Sequence, residues 1–181
     1  MIIMKKSVLI TLCLLFCICL FAQKKKDKKA AEDTWYPFLQ TENGSRLRIS
    51  FPVEYELMKE SQTRGRTWYV SARDTAKKTT YMLNCTFHDK VLADVGEEAL
   101  VQTTFLTFEE SSHSALIKSE SVKSGIYNGM RGQFLDKTKG IAYEYEAFQK
   151  GGLQIQIMIA HPYKIYEEEK YKHFFESLKI E

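Results

Sequence analysis

Four histidines, one pair of carboxylates, one isolated cysteine and a late cluster of tyrosines are the residues that could do chemistry in this chain of 181 residues. His88, His113, His161 and His173 lie far apart, with no His-x-x-x-His or Cys-x-x-Cys spacing, so no metal or other cofactor is expected. His88 belongs to the polar face of an alternating segment and reads as solvated. Cys85 shares a strand face with Leu83 and Phe87 and reads as a small buried hydrophobe. Glu144 and Glu146 alternate with Tyr143 and Tyr145. Paired carboxylates can do acid/base work when burial displaces one pKa, but this alternation puts both on the more polar face, so solvation is expected. Tyr143, Tyr145, Tyr163 and Tyr166 read either as core aromatics or as a groove for a partner or ligand, and on the second reading they are the candidate site. The sequence carries no nucleophile elbow, phosphate loop, dinucleotide fingerprint or metalloprotease helix, and an enzyme is not expected. Asp74-Thr75-Ala76 matches a short O-glycosylation sequon of some exported bacterial proteins.

The elements that must position these residues follow from hydrophobic period. Leu47, Ile49 and Phe51 alternate with Arg46, Arg48 and Ser50 as a half-buried strand that ends or bends at Pro52. Val53, Tyr55 and Leu57 restart the alternation, Thr67 to Ala72 reads as a strand, and Tyr81, Leu83, Cys85 and Phe87 mark another. The period then changes. Asp94-Val95-Gly96-Glu97 resembles a capping box, and Val101, Thr104, Phe105 and Phe108 form one stripe of a helix from about Val95 to Glu110. Strands follow over Leu116 to Lys123, Gly129 to Leu135 and Ile141 to Gln149. Gly151-Gly152 turns the chain into a further alternation, Leu153 to Ile159. Pro162 breaks that strand and opens a closing helix with the stripe Tyr171, Phe174, Phe175 and Leu178. Strands joined by short turns with segregated helices predict an α+β domain: an antiparallel sheet of about six to seven strands flanked by two main helices.

The opening segment sets the compartment. Lys5 and Lys6 precede an apolar run from Val8 to Ala22, too short to span a membrane comfortably, and the pattern predicts an export signal cleaved between Ala22 and Gln23. No small residue stands directly before Cys13, Cys17 or Cys19, so a lipoprotein is not expected. Lys24, Lys25, Lys26, Lys28 and Lys29 oppose translocation, which leaves a membrane anchor by an uncleaved segment as the alternative. The expected organisation is a signal over 1–22, a charged linker over 23–34 and one domain over 35–181. Beyond the linker, 19 basic residues face 20 acidic ones. The domain is therefore near neutral and is not expected to bind nucleic acid, whereas the linker lysines offer weak contact with an anionic membrane. With the signal removed only Cys85 remains of four cysteines, so the fold rests on packing and not on disulfides.

Three local patterns carry a resemblance: Ile49-Ser50-Phe51-Pro52, Tyr127-Asn128-Gly129-Met130-Arg131-Gly132-Gln133-Phe134, and Phe174-Phe175-Glu176-Ser177-Leu178-Lys179-Ile180. With the element order they resemble the PsbP-like fold family, over about Ser45 to Ile180. The resemblance implies an α/β/α sandwich. It also implies a role in binding or chaperoning partners, without an active-site motif, so no functional residue is carried over. The function expected is an exported, non-catalytic binding or accessory protein of a bacterial envelope, in the periplasm or cell envelope, that docks a protein partner. The alternative is a carrier of a small apolar ligand or lipid between sheet and helix.

Overall fold

The computed structural model describes residues 34–42, 44–61, 66–88 and 96–181. The signal, its cleavage point at Ala22 and Gln23, the five linker lysines and Asp94 lie outside these residues. Ten strands and two helices follow in the order β1 (Tyr36–Glu42), β2 (Ser45–Phe51), β3 (Tyr55–Ser61), β4 (Arg66–Asp74), β5 (Thr79–Phe87), α1 (Glu97–Ser112), β6 (Ala115–Ser124), β7 (Tyr127–Asp136), β8 (Ile141–Lys150), β9 (Leu153–Pro162), α2 (Glu168–Glu176) and β10 (Lys179–Ile180). Seven strands form one antiparallel sheet in the order β3-β4-β5-β9-β8-β7-β6. A second sheet, β1-β2-β10, holds the first and last strands against β2. The class is α+β, as the alternation predicts.

Each face of the large sheet has its own cover. On one face Leu47, Ile49 and Phe51 of the small sheet and Phe174 of α2 pack with Val70, Tyr81, Leu83, Cys85, Ile157 and Ile159. Leu47, Ile49, Phe51, Tyr81, Leu83 and Phe174 are wholly buried, each contributing about 1.5–3 kcal/mol of transfer free energy. On the other face α1 lays Val101 and Phe105 on Phe134, Tyr145 and Ala147, with Phe108 packed alongside. Gly132 makes this approach possible, because a Cβ there would meet Phe105 Cε1 at 2.5 Å.

Local departures have local causes. α1 starts at Glu97 on Gly96, which offers no side-chain cap, and the Glu97 carboxylate accepts a bond from Gly151 N–H at 2.9 Å. The glutamate of the expected capping box thus ties the helix to the β8–β9 turn. That turn is the two-glycine hairpin, with Lys150 opposite Leu153 and Gly151 at φ +53°. Pro162 does end β9, but it opens no helix. The chain instead runs through residues 163–167, with Tyr163 N–H donating to Gly140 O at 2.9 Å, before α2 begins at Glu168.

Candidate functional site

The register of β7 against β8 builds the site. Arg131 stands opposite Glu146 and Gln133 opposite Glu144, all four on the face that α2 overhangs. Glu146 is 3% exposed and Glu144 7%, which corrects the expectation of solvation. Alternation identified their shared face correctly, but both faces of this sheet are covered at β8. Arg131 donates through Nε and Nη2 to Glu146 Oε1, and its Nη1 reaches Glu120 of β6 at 3.6 Å. Burial raises the Glu146 carboxyl above its ordinary range and the Arg131 guanidinium opposes that shift. Gln133 Nε2 donates to both Glu144 oxygens, at 3.0 and 2.9 Å. His161, 3% exposed, gives its Nδ1 proton to the carbonyl of Pro162 at 3.1 Å. Its Nε2 has no hydrogen-bond partner and stands 3.9 Å from Glu144 Oε1.

These side chains floor an open groove between α2 and the β6–β8 surface. Phe175 of α2, its ring centroid 5.5 Å from the Arg131 guanidinium carbon, divides it. The upper compartment, about 220 Å³, runs from Lys118 and Glu120 past Gln133 and Glu144 to Tyr166 and Lys172. The lower, about 660 Å³, lies between Val122–Gly125 and the end of α2, with Glu146 and His173 on its walls. Basic and acidic groups alternate around the upper rim, so it presents no single sign of charge.

The four tyrosines singled out from sequence do not line one surface. Tyr143 and Tyr145 lie on the α1 face, where Phe108 stacks on Tyr145 with centroids 4.4 Å apart. Tyr145 is 2% exposed and its hydroxyl donates to Gln156 at 2.8 Å. Tyr166 lies across the sheet, over His161 and Tyr171, and lines the upper compartment. Tyr163 projects from the β9–α2 connection, 61% exposed. Of the four histidines, His161 lies behind the groove beside Glu144, and His173 lines the lower compartment while packing on Trp35 with centroids 4.1 Å apart. Among the described residues no three His, Cys, Asp or Glu side chains gather as metal ligands. Cys85 is buried and its thiol is pushed up to about 12 by desolvation.

Arg131 and Gln133 are the site residues that period alone did not select. The signal for them is symmetry: 131 and 133 are equidistant from 146 and 144 about the turn Lys137–Gly140, so a hairpin closing there must pair them.

Fold and groove together define an α+β domain whose long antiparallel sheet carries a polar, open cleft beside its last helix. No family model matches the chain, so the PsbP-like resemblance gains no support there, and no curated protein matches it either. Among solved structures it is similar to LpqN of Mycobacterium tuberculosis, a protein involved in cell envelope biogenesis. The TM-score is 0.50 at 12% identity, over 81% of this chain and 90% of that one. The two share a fold.

Proposed function

We propose that this chain is an exported, non-catalytic accessory protein of a bacterial cell envelope, built on a PsbP-like domain, that docks a protein partner in the groove beside α2. The observation that carries the reading is the state of the two buried carboxylates. Glu146 accepts from Arg131 and Glu144 from Gln133, an arrangement that fixes where each charged group points and so supports recognition. The export pattern at residues 1–22 and the envelope role of the structural neighbour LpqN agree with an envelope location. A carrier of apolar ligand is less well supported. Over β2 and β5 the space under α2 is filled by Phe51, Tyr81 and Phe174, whose rings lie 5.2–5.5 Å apart in contact pairs, and the part that stays open is lined by charged groups such as Arg131, Glu144 and Glu146.

The test is site-directed photocrosslinking in the host envelope from position 172 on the groove wall and from position 98 on α1. A stoichiometric protein adduct from position 172 alone, lost on Arg131→Met, is expected. Equal adducts from both positions would sink the groove as the docking site. Cleaved signal and compartment are read separately, by the N-terminal residue of the protein recovered from its host.

A further inference from the structure

Three connections meet at one end of the large sheet. Residues 75–78 join β4 to β5, 137–140 join β7 to β8, and 163–167 lead from β9 into α2. The pairs Asp74↔Thr79, Asp136↔Ile141 and Ile141↔Pro162 put all three at the same end. They are bonded into one surface. Tyr163 N–H donates to Gly140 O, and Lys77 reaches Glu167 at 3.3 Å. Lys170 of α2 reaches Asp74 at 3.1 Å.

Charge on these connections is sorted by direction. Lys77, Lys78, Lys137, Lys139 and Lys164 are all exposed. The acids of the same segment face inward. Asp74 accepts from Lys77 N–H and Asp136 from Thr138 and Lys139 N–H, while Glu167 pairs with Lys77 and Lys170. Glu168 and Glu169, on the first turn of α2, add exposed negative charge beside them, and exposed Glu54 before β3 and Glu110 near the end of α1 lie toward the same end of the sheet. Among the lysines stand Tyr163, 61% exposed, and Tyr166, 54% exposed. An exposed patch of lysines and tyrosines has the composition of a membrane interface, where amphipathic rings sit at headgroup level. The cations are all lysine, compact charges suited to a diffuse field; the bidentate arginine forks that grip single phosphates are absent from these three connections.

We propose that this end of the sheet is a membrane-docking surface that seats on anionic phospholipid headgroups, with Tyr163 and Tyr166 entering the headgroup layer. It is distinct from the linker lysines, and it borders the groove at Tyr166.

The test measures partition of the full chain onto vesicles of phosphatidylcholine alone and of phosphatidylcholine with about one-third phosphatidylglycerol, near physiological salt. Lys24, Lys25, Lys26, Lys28 and Lys29 are replaced by serine in every protein used. The N-terminal run is common to every protein compared, so the change in the ratio of the two partitions between parent and lysine variant isolates the charge-dependent part of this surface. Lys78, Lys137 and Lys164 hold no ion pair among the described residues, and K78E/K137E/K164E leaves the fold's contacts in place. At a factor of about 5 per lysine removed, and with repulsion added by each glutamate, the ratio falls at least about 100-fold in this variant. Tyr163→Ser, at an exposed position, lowers the phosphatidylglycerol partition several-fold at unchanged thermal midpoint. A ratio equal to the parent's overturns the proposal. So does loss of binding to a single-stranded oligonucleotide in the lysine variant while its vesicle ratio stays at the parent value, which makes the surface a nucleic-acid site.

Discussion

The two faces of β7 and β8 meet their helices in opposite ways. Under α1 the contact is dry and aromatic: Phe105, Phe108, Phe134 and Tyr145 touch in tilted, edge-to-face and stacked pairs, and no charge enters. Under α2 the same two strands present Arg131, Gln133, Glu144 and Glu146, and a groove stays open above them. The first arrangement gains free energy from area alone. The second gains little from its charges, because desolvating them offsets most of their attraction, but it fixes where each charged group points. One face is built for cohesion and the other for recognition.

The largest effect should come from breaking the dry face. Phe105→Ala removes a ring that touches Phe134 and Tyr145, and about 3–5 kcal/mol of unfolding free energy should be lost in a urea titration. A loss under 1 kcal/mol would mean that α1 is not held by this cluster.

Next comes the wet face. Arg131→Met strands the buried Glu146 carboxylate and should cost about 3 kcal/mol near neutrality. The sign with pH follows from burial. A carboxyl raised in the folded state favours folding below its unfolded value and loses that advantage as pH rises through the folded one. The deficit should therefore be greatest at alkaline pH and smallest near pH 4. Adding Glu146→Leu to Arg131→Met should recover most of the loss, and failure to recover would show that Arg131 contributes mainly through its stem against Phe175.

A smaller effect is expected where α2 is pinned at its start. Burial pushes the Asp74 carboxyl up, but the Lys77 amide and the Lys170 ammonium outweigh it and leave the group below its ordinary value. Its stabilisation is present above the unfolded value near pH 4 and is lost as pH falls through the folded value. Asp74→Asn should cost about 1 kcal/mol at pH 7, with the deficit vanishing in more acid solution. The smallest change is expected at Cys85, which separates neither face. Its raised thiol should label with a disulfide reagent at pH 8 only as fast as the domain unfolds, and rapid native labelling would contradict its burial.

Much of the dry face was legible in the sequence, and little of the wet one. Val101, Phe105 and Phe108 announce α1 because a 3.6-residue stripe has one reading, and the long strands declare themselves by period two. Glu144 and Glu146 also alternate, but alternation separates two faces without saying which meets water; that depends on α2, which arrives 20 residues later and covers them. Tyr143 and Tyr166 looked like neighbours for the same reason, being close in sequence and separated by the thickness of the sheet. β1 shows no clean alternation in the sequence, since Pro37 interrupts it, and it exists as an edge strand where a missing N–H is tolerated. β10 is two residues long, below the length at which any period can be seen.

The small sheet has a consequence for timing. β2 takes β1 on one side from the preceding residues, but its other side waits for Lys179 and Ile180, and Arg46 exchanges both backbone bonds with Glu181. About 130 residues must be threaded before that side can close, a contact of high sequence separation and correspondingly slow formation. Until then Leu47, Ile49 and Phe51 have only part of their cover. A chain cut before Lys179 would leave that edge of β2 unpaired, with the backbone groups of Arg46, Leu47 and Arg48 open to another strand.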